Sequence, residues 1–235
     1  MTDHPHKRRK PCVLHQKKKV SNPRFGWISS NWSGYARKGT QNQYRRISAE
    51  WTVPYVLPST RNAYSSAWIG IDGFENSSLI QTGTGHDWFQ GKPSYYAWWE
   101  ILPDAETIIP HPVSPGHRIR AVISKLTRKT WCITVSNLTL GWTFRTIQYY
   151  SGPQSSAEWI VEAPTVGSSI ASMARLTPVT FNMCRLNGCS PTFRTSQKGI
   201  MVQGRGIVSV PGNPNRCKDG FTVRRFTGSS QYLSI

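Results

Sequence analysis

From Phe25 onward, apolar and polar residues alternate in short runs broken by Gly, Pro, Asn and Ser. RISAEWTVP, SAWIGIDG, SYYAWWEIL, RIRAVISKL, TWCITVSNLT, AEWIVEAP and GIVSVPG are rich in Trp, Tyr, Val, Ile and Thr. A period of two is that of a strand, and no long stretch carries the helical period of 3.6. The pattern predicts an all-β protein, an antiparallel sandwich or barrel with little helix. TWCITVSNLTLGWTFRTIQYY reads as a hairpin turning around Asn-Leu-Thr-Leu-Gly, and FTVRRFTGSSQYLSI as a last strand with a frayed end.

Alternation also assigns faces. In SAEWIVEAP, Ala157, Trp159 and Val161 point one way, and Glu158, Ile160 and Glu162 the other. Trp68, Gly70 and Asp72 share a face in SAWIGIDG, as do Tyr96, Trp98 and Glu100 in SYYAWWEIL. Each strand thus offers a face mixing a carboxylate with a large apolar side chain. A half-exposed strand alternates in this way too, but three such faces in an acid-poor chain point to an aromatic-lined ligand cleft. Gln81 in SSLIQTGTG shares its face with Leu79, and Gly83 leaves open backbone beside it.

Charge changes the picture at the N-terminus. The chain has 235 residues and a formal charge of +18, with 29 Lys and Arg against 11 Asp and Glu. The opening MTDHPHKRRKPCVLHQKKKV is basic and lacks apolar periodicity. Residues 1–24 are therefore expected to form a basic, disordered arm and residues 25–235 one β-sandwich domain. Such runs are more often solvated tails than nucleic-acid sites, so no specific nucleic-acid partner is expected. The start lacks the apolar core of a signal peptide, and no apolar run reaches the roughly 18 residues of a membrane span. A monomer without membrane attachment is expected. Five cysteines are too scattered for a disulfide framework, although Cys184 and Cys189 bracket a turn and could pair.

NWSGYA at 31–36, AEWTVP at 49–54, SAWIGIDG at 66–73, LIQTGT at 79–84, YYAWWEILPD at 95–104 and SAEWIVEAPT at 156–165 together resemble the glutamic peptidases of the G1 family, the eqolisins. The resemblance implies an antiparallel two-sheet β-sandwich of the concanavalin A-like lectin or glucanase type. It implies an endopeptidase acting on polypeptides, with Gln81 and Glu158 as the catalytic dyad. Trp32, Trp68, Trp98 and Glu100 match cleft residues, and Asp72 and Glu162 are taken as substrate-binding neighbours. The resemblance also suggests an extracellular enzyme that favours acidic pH.

The chemistry is self-consistent. Peptide hydrolysis needs a base for water, an acid for the departing amine and a donor for the oxyanion. A Glu with an ordinary pKa of about 4.3 takes the water proton and returns it to the amine, while a Gln amide supplies both a donor and an acceptor. The reading requires neither metal nor cofactor, and no HExxH spacing or GxSxG elbow occurs. The alternative is a carbohydrate-active or carbohydrate-binding sandwich. EWIVE superficially resembles an ExDxE strand, but Ile160 occupies the central acidic position. The flanking Cα atoms of an unbulged strand also stand ~13 Å apart, awkward for a retaining carboxylate pair about 5–5.5 Å apart.

Overall fold

A computed structural model describes residues 18–22 and 24–227. The strands are β1 (Lys18–Asn22), β2 (Phe25–Ser29), β3 (Trp32–Lys38), β4 (Arg46–Thr52), β5 (Ser66–Asp72), β6 (Leu79–Phe89), β7 (Lys92–Ile101), β8 (Thr107–Ile109) and β9 (Arg118–Lys125). They continue with β10 (Thr130–Asn137), β11 (Trp142–Tyr149), β12 (Ser156–Glu162), β13 (Thr165–Val166), β14 (Ser169–Ile170), β15 (Val179–Leu186), β16 (Lys198–Gln203), β17 (Gly206–Pro211) and β18 (Phe221–Arg225). A single 3₁₀ turn at Thr195–Gln197 is the only helical element among the described residues. The all-β expectation holds, and each quoted alternating segment coincides with a strand or most of one. The hairpin pairs Thr130 with Tyr149 through Asn137 with Trp142.

Strand pairing does not separate two sheets. It runs as one path, β11-β10-β9-β4-β15-β18-β17-β16-β3-β12-β5-β6-β7-β8, with β1 and β2 attached beside β16 and β13-β14 apart. All these pairings are antiparallel except β2 with β16. The two-sheet division is therefore not drawn in the ladder, because β15 to β16 bridge the halves through hydrogen-bonded neighbours. Long-range contacts fold the path over itself. The indole N–H of Trp51 on β4 donates to Thr84 Oγ1 on β6 at 2.9 Å, and that of Trp159 on β12 donates to the Ser48 carbonyl on β4 at 3.1 Å.

Between these halves lies the main core. It takes Ile47, Ala49 and Trp51 from β4, Ile119, Ala121 and Ile123 from β9, and Ala157, Trp159 and Val161 from β12. Truncating a buried Trp of this kind costs about 3–5 kcal/mol. A second cluster covers the opposite face of β12 and β5, with Trp27, Trp32, Trp68, Phe74, Trp98 and Ile160. Trp32 and Trp68 meet edge-to-face with ring centroids 4.8 Å apart. Every residue of β5 and β12 is consequently buried.

At the N-terminus, β1 pairs antiparallel with β2, so this hairpin begins inside the segment expected as an arm. Residues 1–17 lie outside the described residues. Cys184 is buried and Cys189 exposed, and both are free thiols, so the pairing the turn suggested is not made. No helix of the described residues is long and apolar enough to cross a membrane.

Candidate active site

Register aligns the candidate residues in rows. Across β3, β12, β5, β6 and β7, one row reads Ala36, Glu158, Gly70, Gln81, Glu100. The next reads Gly34, Ile160, Trp68, Gly83, Trp98, and a third Trp32, Glu162, Ser66, Gly85, Tyr96. Residues two apart share a face. Seven of the eight residues singled out above, all but Asp72, therefore lie in three adjacent rows on one face, although they come from five separate strands.

Gly70 is the hinge of the first row. It stands between Glu158 and Gln81, whose Cα atoms are two strand spacings, ~10 Å, apart. A Cβ there would come within 2.9 Å of the Trp68 ring and of Leu79 Cδ1. The missing side chain thus leaves the lane between the carboxylate and the amide to the indole of Trp68.

Gln81 donates from Nε2 to Glu100 Oε2, its direct neighbour across the β6–β7 ladder. That bond orients the amide and leaves its second N–H uncommitted. Its Oε1 is buried and bonded to none of the described residues. The indole N–H groups of Trp32 and Trp98 are in the same condition. Glu162 is held differently, with its Oε2 accepting from the Trp68 indole at 2.7 Å and its Oε1 from Asn31 Nδ2 at 3.2 Å.

Asp72 departs from the others. Its backbone is left-handed, at φ 71°, and its carboxylate turns toward the segment that leads into β12. It accepts from Tyr150 Oη at 2.6 Å, from the backbone N–H groups of Gln154 and Ser155 at 2.7 and 2.8 Å, and from Asn76 Nδ2 at 3.3 Å. Asn and Asp tolerate this backbone region better than other residues with a Cβ, which suits Asp to the turn that ends β5. Burial raises the Tyr150 hydroxyl well above its usual range, and the charges of Asp72 and Glu158 add to the rise. Tyr44 is raised chiefly by burial, with Arg37 opposing and the Glu158 charge adding a little.

Two further residues belong to this face and were not singled out from the sequence. Asn31 braces Glu162, and its place next to Trp32 in NWSG was the available signal. Asp87 continues the line Gln81, Gly83, Gly85 along β6; its Oδ2 accepts from Tyr96 Oη at 3.3 Å and its Oδ1 from the Ser65 N–H at 3.2 Å. Alternation alone predicts its position. No group of three His, Cys, Asp or Glu among the described residues is arranged to hold a metal ion.

Comparison with known proteins places the chain in a family. Residues 30–207 match the Peptidase A4 family. Aspergillopepsin-2 of Aspergillus niger is 28% identical over 200 residues, covering 74% of this chain and 70% of that protein. Scytalido-glutamic peptidase, solved with a transition-state analog inhibitor, superposes with a TM-score of 0.71 at 23% identity, over 84% of this chain and 98% of that one. Aspergilloglutamic peptidase from Aspergillus niger gives 0.58 at 25% identity, over 70% and 99%. The family match spans the strands that carry the three rows, and this chain belongs to the Peptidase A4 family, the glutamic endopeptidases of the eqolisin type.

Proposed function

We propose that this glutamic peptidase hydrolyses polypeptides with Glu158 and Gln81 as its catalytic pair. The observation that carries the reading is the row Glu158, Gly70, Gln81, Glu100, which sets one carboxylate and one oriented amide on either side of a side-chain-free position. Glu158 takes a proton from the attacking water and later gives it to the leaving amine. The Gln81 N–H that Glu100 does not use donates to the carbonyl oxygen as it becomes an oxyanion, and Oε1 accepts from the water. Glu100 thus acts as a positioning residue, fixing which end of the amide faces the substrate.

Trp32 and Trp98 supply the substrate contacts in this reading. A buried N–H without an acceptor costs about 1–3 kcal/mol, and the backbone carbonyls of an extended peptide laid over the rows supply acceptors. Trp68 and Glu162 act as a braced pair that shapes the floor. Asp72 acts indirectly, by fixing the approach to β12, and not by touching substrate. Because Glu158, Gln81, Trp32 and Trp68 are all fully buried, a peptide reaches them only when this face opens. The water-excluded site then strengthens every polar interaction at the reacting carbonyl.

The test is the pair of variants Glu158→Gln and Gln81→Ala, assayed on a fluorogenic peptide with circular dichroism as the control for folding. Each is expected to abolish turnover, since members of a catalytic unit fail together. Near-normal turnover in either folded variant would falsify the assignment. Activity of the wild type is expected to be bell-shaped in pH with its maximum on the acidic side, falling at low pH as Glu158 protonates and at high pH as protons for the carbonyl and amine become scarce. A maximum at alkaline pH would exclude the glutamate mechanism.

A further inference from the structure

The chain's positive charge is not spread evenly over the fold. On the outer side of β4, β9 and β15 a pocket of about 230 Å³ is lined by Arg46, Ser48, Glu50, Arg120, Met183 and Arg185, among others. Its shape comes from a bulge. Asn182 pairs with Glu50 and Arg185 with Ser48, so β15 spends more residues than β4 between those two points. Met183 takes up the difference with a left-handed φ of 50°, a conformation rare for a residue with a Cβ, and stands exposed at the rim. Bulges of this kind re-aim side chains beside functional sites.

The charges around the pocket do not cancel. Both Glu50 oxygens are taken, Oε1 by Arg120 Nε at 2.8 Å and Oε2 by Arg118 at 3.2 Å. Arg185 donates to Asp219 Oδ2 at 2.6 Å and to the Cys184 carbonyl at 2.8 Å. Four arginines therefore meet two carboxylates. The Arg46 backbone N–H is anchored on Asn187 Oδ1 at 3.1 Å, while its guanidinium makes no hydrogen bond or ion pair with the described residues. Each guanidinium has five donors, so Arg120 and Arg185 keep donors beyond those already engaged. Arginines from three strands, Arg46, Arg120 and Arg185, line this volume together with Ser48. A planar carboxylate presents its two oxygens on one edge, whereas a tetrahedral phosphate-type group presents three or four that can face guanidiniums on three sides at once.

We propose that this pocket binds a phosphate-type oxyanion, free or carried on a larger molecule, at a site separate from the catalytic face. The separation follows from alternation on β4. Ser48 and Glu50 point outward, while Ala49 and Trp51 enter the main core that lies between this layer and the strands bearing Glu158 and Gln81. A ligand in the pocket therefore does not occupy the catalytic face.

The experiment follows the amide resonances of Arg46, Ser48, Glu50 and Arg120 in the full-length isotope-labelled protein during titration with sodium phosphate, with sodium chloride at matched ionic strength as the control. Saturable shifts at these amides are expected with phosphate alone. Arg46→Ala is expected to weaken binding by roughly tenfold, as for loss of a hydrogen bond between charged groups, and to leave peptidase turnover unchanged. Two parallel arms identify the source: tighter binding of adenosine monophosphate than of phosphate points to a nucleotide, and cosedimentation with phosphatidic acid vesicles that Arg46→Ala abolishes points to a lipid headgroup. If neither exceeds inorganic phosphate, the free ion is the ligand. Absence of saturable shifts at about 50 mM phosphate, where a millimolar site is nearly full, overturns the proposal. Equal shifts in wild type and Arg46→Ala overturn it as well.

Discussion

The indole of Trp68 donates to Glu162 Oε2 over 2.7 Å, binding the middle of β5 to the end of β12 with both side chains buried. Two glutamates four residues apart on one strand face thus have different surroundings. Glu162 is bonded to Trp68 and Asn31, whereas Glu158 stands in the row with Gly70 and Gln81. The two positions are not interchangeable. Trp68→Phe keeps most of the ring and removes the N–H, leaving Glu162 short of one of its donors. The expected cost is about 1–3 kcal/mol in urea denaturation, with a rise in KM as the floor loosens. An unchanged denaturation midpoint would mean that the bond contributes nothing to the fold.

Glu100 is expected to govern the rate through Gln81. Glu100→Leu removes the acceptor that fixes the amide, and a misplacement of about 1 Å at a catalytic group can cost ~10²-fold in rate. The expected signature is a fall in kcat with KM little changed, and partial recovery in Glu100→Gln, whose carbonyl still accepts from Gln81. A change confined to KM would place Glu100 in substrate binding instead.

Asp72 is expected to be the most sensitive carboxylate for stability. Its four partners span the end of β5 and the segment before β12, and two of them are backbone N–H groups with fixed positions. Asp72→Ala loses these bonds and retains a Cβ at positive φ, for an expected cost of roughly 2–4 kcal/mol. Asp72→Asn suits the backbone but turns one NH₂ toward existing donors, so it should fall between wild type and the Ala variant. Chemical denaturation of the three proteins checks the order.

Asp219 supplies a pH test. Hydrogen bonds from Arg185 and Asn215 hold its carboxyl below the ordinary value of 3.8, against the opposing effect of burial. A carboxylate lowered in the folded state stabilises the protein at pH above its unfolded pKa, and that contribution is lost as pH falls through the lower folded value. The gap in urea midpoint between wild type and Asp219→Asn should therefore be full at pH well above 3.8 and shrink steadily as pH falls below it, through the lower folded value. A gap of constant size across that range would separate Asp219 from the acid lability of the fold.

What the sequence determined by itself was local. Alternation in RISAEWTVP, SAWIGIDG, SYYAWWEIL and AEWIVEAP is a property of each stretch, because a strand exposes its two faces at a period of two whatever lies beside it. Those strands, the β10–β11 hairpin and the shared face of Glu158 and Glu162 were legible for that reason. The tertiary structure decided what each strand meets. Strand order brought Gly70 between Glu158 and Gln81 and set Glu100 opposite Gln81, relations that join residues up to 88 positions apart in sequence. It also joined the expected two sheets into one folded path, through strand pairings from β15 to β16 that no periodicity encodes. Asp72 marks the limit of the local rule. Alternation put it on the face of Trp68, but its left-handed backbone and the N–H groups of Gln154 and Ser155 turn the carboxylate to the approach of β12, since a buried charge goes to whichever donors the distant chain supplies.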